Sequence, residues 1–144
     1  MIPRMIQKGI IMAKSLIQVV NTGVQTVDQN GIITLGSVVR RFGCNCRLSG
    51  NAIEAIGEGY YTIDAVVTVQ PTALGDVTVA LYSDGEQIPG AIASAAAAAA
   101  EDPVTLPIIG TIRNGCCGGS TNITAVLLAG PGTVTNVSVR AVKE

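Results

Sequence analysis

Apolar and polar residues alternate with a period of two in short runs from Leu16 to Val142, and Gly, Pro, Asn and Asp punctuate the runs. Successive side chains of a strand point to opposite faces, so this pattern predicts strands that each bury one face. The clearest run spans residues 59–71. Tyr61, Ile63, Ala65, Val67 and Val69 fall on one side, with Thr62, Asp64, Val66, Thr68 and Gln70 on the other. Pro71 ends it, because proline has no amide hydrogen to give a ladder. Residues 77–83 repeat the pattern through Val77, Val79 and Leu81, then turn at Asp84-Gly85 and return through Gln87 and Ile88, which predicts an antiparallel hairpin. Residues 104–112, 122–128 and 133–142 carry further β-prone runs, the last two joined by a turn at residues 129–132.

The other segments leave alternatives. Asn30-Gly31 suits a tight turn that would pair residues 16–20 with 31–35. Residues 36–42 read as a continuation of that second strand, and residues 46–56 as a further strand around a glycine break. Residues 91–100 are nearly all alanine. Helix propensity favours a short helix there, whereas the acidic Glu101-Asp102 at its end and the strands on either side favour an extended strand that lets neighbours approach closely. Pro107 places its run at a sheet edge or marks a break. About eight or nine such strands predict two antiparallel sheets packed face to face, as a jelly roll or another Greek-key sandwich.

Composition changes the picture of the surface. The chain has 144 residues, one domain's worth, with 48% hydrophobic but only 13% charged residues, a formal net charge of −1 and a mean hydropathy of +0.48. So little charge predicts that part of the surface faces other protein. No basic cluster is denser than Arg40-Arg41, so neither nucleic acid nor an acidic membrane is an expected partner. There is no histidine, which removes the usual general base and the commonest metal ligand and argues against an enzyme. The first 14 residues hold no apolar run of signal-peptide length, and residues 1–11 are expected to be an arm without catalytic role.

The cysteines are the most unusual chemistry. Cys44 and Cys46 flank one asparagine, and Cys116 and Cys117 are adjacent in a glycine-rich loop. Four thiolates make a tetrahedral metal site if the loops meet, but neither spacing is that of a zinc knuckle. Two disulfides between the loops, or free thiols in a reducing compartment, are the alternatives, and no cofactor is expected. Tyr60, Tyr61 and Tyr82 offer a stacking surface for a sugar, against the more ordinary role of tyrosine at a core margin or interface. Asp76, Asp84 and Glu86 read as turn formers, with no spacing that selects a carboxylate pair. The sequons at Asn122 and Asn136 fall inside predicted strands.

Residues 59–71, followed by residues 75–91 with Ile88-Pro89-Gly90, resemble the C-terminal domains of collagen-like bacterial surface proteins and related phage structural proteins with a TNF/C1q-like jelly roll. The small-residue stretch, residues 103–106, and the runs at 123–128 and 137–142 extend the resemblance over residues 56–143. It implies an all-β, antiparallel two-sheet jelly-roll sandwich, a homotrimer, and no enzyme activity. The absence of a Gly-X-Y repeat turns the expectation toward a phage protein on the outer capsid surface, with the major capsid protein or another virion protein as partner. A carbohydrate- or receptor-binding module of a tail or fibre is the alternative, with Tyr60 and Tyr82 as its stacking residues. On this division residues 1–35 form an N-terminal arm and first strands, with Met1, Arg4, Lys8, Lys14 and Leu16 as capsid-attachment candidates. Residues 36–144 form the jelly roll.

Overall fold

The computed structural model describes residues 14–115 and 119–144, which form strands, turns and bends without a helix. In chain order the strands are β1 (Ser15–Asn21), β2 (Gln25–Val27), β3 (Gly31–Ile32), β4 (Ser37–Phe42), β5 (Cys46–Ser49), β6 (Ala52–Ile56), β7 (Gly59–Pro71), β8 (Gly75–Ser83), β9 (Glu86–Ala97), β10 (Val104–Asn114), β11 (Ser120–Ala129) and β12 (Gly132–Lys143). The first sheet runs β10-β7-β12-β1-β4, with β2 also on β12. The second runs β5-β6-β11-β8-β9, with β3 also on β11. Every pairing is antiparallel, and the two sheets pack face to face as a jelly-roll sandwich.

The alternation explains the core. The inward positions of β7, from Tyr61 to Val69, are all buried, as are Val77, Val79 and Leu81 of β8 and Ile17 and Val19 of β1. Each fully buried Val, Leu or Ile contributes roughly 1.5–3 kcal/mol of transfer free energy, so the shared interior of the sheets fixes the register of every long strand.

Four local outcomes differ from, or decide between, the sequence readings. The alanine run is extended: β9 reaches Ala97 and pairs with β8 through Val77↔Ala95 and Val79↔Ala93, and Ala91 and Ala97 are buried. Helix propensity loses there to the ladder and the core on one side. Residues 16–20 and 31–35 do not pair. The turn at Asn30, whose φ is 64°, instead carries the chain from β2 in the first sheet to β3 in the second. The Gln25 side chain bonds both the amide and the carbonyl of Thr34, bridging the gap a hairpin ladder would have filled. Residues 37–42 are a separate strand, because Gly36, at φ +91°, turns the chain where a Cβ would lie 2.3 Å from the Val20 carbonyl oxygen. Among the described residues the strand count rises to twelve through the short β2 and β3 and the splitting of residues 46–56 into the β5–β6 hairpin.

Pro107 lies in β10, which ends the first sheet and needs no ladder partner on its outer side. There β9 and β10 close the edge between the sheets. A Cβ on Gly110 would lie 2.9 Å from that of Ala91, so only glycine permits this approach. Among the described residues no helix is long and apolar enough to cross a membrane.

Candidate functional site: the outer face of the first sheet

The outward positions of β7 and β10 are the candidate site. The register sets Thr62 beside Thr111, Asp64 beside Ile109, Val66 beside Pro107, and Thr68 beside Thr105. The same rows continue across the sheet: Asp64 to Arg140 to Gln18 to Arg40, and Val66 to Ser138 to Val20. A shallow apolar depression lies over Val66, Pro107 and Ile109, with Asp64 at its border. Ile109 is 63% exposed and Val66 37%, both on the side of an alternating strand that normally carries polar residues. Tyr60 stands at one end of the face, 55% exposed, with the Arg113 guanidinium 5.8 Å from its ring centroid.

Several polar groups of this face are already paired. Arg140 Nη2 is 2.9 Å from Asp64 Oδ2, Gln18 donates to Ser138, the Thr68 and Thr105 hydroxyls are 3.1 Å apart, and Thr62 donates to the Glu144 carboxylate. Donors that already have acceptors can be covered by another protein without being stranded, a cost of about 1–3 kcal/mol for each group left unpaired. Together with the exposed Val66, Pro107 and Ile109, that makes the face suited to burial against protein.

The cysteine candidates separate. Cys44 is exposed and free, and Cys46 is free, buried and part of the core. Burial pushes the Cys46 thiol up to about 11, although Arg41 and Lys143 pull it down, so it is an inert thiol at neutral pH. Cys116 and Cys117 lie outside the described residues, and among the described residues no group of three or more Cys, Asp or Glu could hold a metal. Around Cys46 the end of the sandwich is clamped by polar side chains. Ser15 donates to Asn45, Asn45 and the Tyr61 hydroxyl donate to Ile56 O at 2.7 Å, and Asn114 donates to Ala55 O and Gly57 O. Burial also raises the Tyr61 hydroxyl pKa.

The tyrosines divide likewise. Tyr61 is in the core, Tyr60 is on the outer face of the first sheet, and Tyr82 is half-buried on the second sheet opposite Thr124. Tyr60 and Tyr82 therefore face opposite sides of the sandwich and do not share a platform. Among the attachment candidates, Lys14 is exposed just before β1 and Leu16 is a half-buried outward residue of β1. Met1, Arg4 and Lys8 lie outside the described residues. Asp84 sits in the β8–β9 turn at φ 50°, and its carboxylate accepts from the Asn122 amide of β11.

Sequence reasoning passed over Ile109, Pro107 and Arg140. The signal was present in the alternation: Val66 and Ile109 are apolar residues at outward positions of adjacent strands. Their adjacency, however, depends on the β7–β10 register.

No family model matches the chain, and no curated protein matches it. Solved structures do. Murine APRIL, in its crystal structure at pH 5.0, is similar with a TM-score of 0.71 at 12% identity, over 91% of this chain and 99% of that one. The globular domain of zebrafish complement 1qA protein gives a TM-score of 0.59 at 12% identity, over 88% and 94%. PRD1 vertex protein P5 gives 0.56 at 13% identity, over 90% and 96%. At such identities the likeness establishes the fold, and the chain is an all-β, two-sheet sandwich of the TNF/C1q-like jelly-roll type.

Proposed function

We propose that this chain is a non-enzymatic virion structural protein, a homotrimer that binds and reinforces a phage capsid. The observation that carries the reading is the outer face of the first sheet, where Val66, Pro107 and Ile109 lie open among polar side chains several of which are already paired. Such a face is built to meet protein, and in a trimer it meets a second copy. The fold supports the setting, since a PRD1 vertex protein shares it. Attachment to the capsid is assigned to residues 1–35, through Met1, Arg4, Lys8, Lys14 and Leu16. Reinforcement then comes from many noncovalent contacts between capsid subunits.

Mass spectrometry and electron cryo-microscopy of the purified particle test the reading. The expected result is density for a trimeric sandwich on the outer capsid surface, and particles that lack the protein overturn it. Tyr60, exposed and backed by Arg113, favours one alternative, a tail or fibre module that stacks a sugar on this ring. Glycan binding lost in Tyr60→Ala supports that alternative, and intact assemblies that bind no host-surface glycan remove it.

A further inference from the structure

Charge is segregated across the sandwich. No Lys or Arg occurs between Arg47 and Arg113, whereas Glu54, Glu58, Asp64, Asp76, Asp84, Glu86, Glu101 and Asp102 all fall in that interval. The fold places the ends of this interval on opposite lateral edges. One edge is β4, with Lys14, Arg40 and Arg41 exposed, the Arg41 Nε donating to the Cys46 carbonyl, and Arg47 on the neighbouring β5 already paired with Glu54 at 2.6 Å. The other edge is β9, whose ends carry Asp84 and Glu86 at one turn and Glu101 and Asp102 at the other, all exposed, while Arg113 on the adjoining β10 is turned onto the Tyr60 ring. Each edge also presents apolar surface. All six residues of β4 are exposed, Phe42 by 67%, and Ile92 is exposed on β9.

The two edges are also matched in height. Arg41 lies level with Ile17, Ala141, Ile63 and Gly110 in successive pairs across the first sheet, and Gly110 sits against Ile88 and Ala91 of β9, two and five residues along the strand from Glu86. A ring whose axis runs along the strands preserves height from one copy to the next. Residues level on opposite edges therefore meet in a head-to-tail contact.

We propose that the acidic turn at Glu86 of one copy docks against Arg40 and Arg41 on the β4 edge of the next, so that charge sets the direction of the ring and excludes edge-to-same-edge pairing. This rests on the self-association reading above and assigns its orientation. Like charges set together at an interface are unfavourable, and steering by opposite charges weakens with salt.

The test is sedimentation equilibrium of the full chain, at low and at physiological salt, for four proteins: the unchanged chain, Glu86→Arg, Arg40→Glu/Arg41→Glu, and the triple variant. All these positions are exposed, and circular dichroism verifies that each variant folds. Each reversal is expected to weaken association by about tenfold or more, and the triple variant to recover it. Reversals without effect, or a triple variant that does not recover, overturn the proposal while a trimeric unchanged chain leaves the function reading standing. An unchanged chain that is monomeric throughout overturns both.

Discussion

The two outward faces of the sandwich follow the same alternation and end differently. On the second sheet an apolar row runs Ile32, Val126, Ala80, Ile92, and its two middle members are buried beneath neighbouring side chains. Around it, Thr78 and Ser94 share a hydrogen bond and Arg47 pairs with Glu54. On the first sheet the apolar residues lie on β7 and the edge strand β10, and among the described residues nothing covers Ile109 or Val66. The second face thus buries the middle of its apolar row and leaves open Ile32 and Ile92 at the row's two ends, while the first leaves Val66, Pro107 and Ile109 open as one adjoining group beside paired polar side chains. The lesson is that hydrophobic content alone does not mark a contact face. What marks it is an apolar group left uncovered beside polar groups that have already found partners.

The largest effect should come from a charge in that group. Ile109→Arg is expected to weaken self-association about a hundredfold, as loss of a buried apolar anchor does, whereas Ile32→Arg on the second sheet leaves it unchanged. Light scattering across a dilution series measures both. Equal effects from the two variants would end the distinction between the faces.

Adjacent residues of one strand sharpen the same contrast. Val67 points into the core and Val66 away from it. Val67→Ala should cost about 2 kcal/mol of folding stability through lost burial and a residual cavity, measured by urea unfolding under dissociating conditions. Val66→Ala should leave that stability nearly unchanged and weaken association a few-fold. A cost for Val66→Ala in the dissociated chain comparable to that for Val67→Ala would mean that the outer face is part of the monomer's own core.

Much of the fold was legible because alternation is a local signal. The inward residues of the runs at 59–71 and 77–83 read correctly, although Ala80, outward by the pattern, is buried as well, and Pro107 fell on an edge strand. The alanine run was not decidable, since its intrinsic preference and its position in the fold point to different structures, and only the β8 ladder settles it. The Asn30-Gly31 turn was recognised but its partners were not, because a turn fixes local direction and leaves open which sheet the chain enters next. The candidate face was least legible. Asp64 and Arg140 are 76 residues apart, and Val66 and Pro107 become neighbours only through the register of β7 with β10.

The cysteines carry the inside–outside contrast into chemistry. With the Cys46 thiol raised from 9.0 to about 11, the folded chain holds its proton where the unfolded chain has lost it. Its contribution is complete below about pH 9 and falls as pH rises toward 11, reaching about 2 kcal/mol lost. Tyr61, also raised by burial, adds in the same direction, so the difference between the unchanged chain and Cys46→Ala isolates the thiol. Stability profiles of equal slope for the two proteins between pH 8 and 11 would refute it. In native protein a maleimide should label Cys44 and spare Cys46. The tryptic peptide of residues 42–47 then carries one label, and two after denaturation.

The smallest effect compares one ion pair from each face. Arg140–Asp64 on the first sheet and Arg47–Glu54 on the second both have partly exposed guanidinium groups, so solvent screening leaves each about 0.5 kcal/mol or less in the isolated chain. Their environments diverge only if the first face is covered. Asp64→Asn then leaves the Arg140 charge under a neighbouring copy without its carboxylate, and truncating one member of a desolvated pair costs more than breaking an exposed one. Glu54→Gln leaves Arg47 in water in either state. Both variants should therefore unfold like the unchanged chain when dissociated, while Asp64→Asn alone loses several-fold in association. A parallel loss in Glu54→Gln would place the second face at the contact as well.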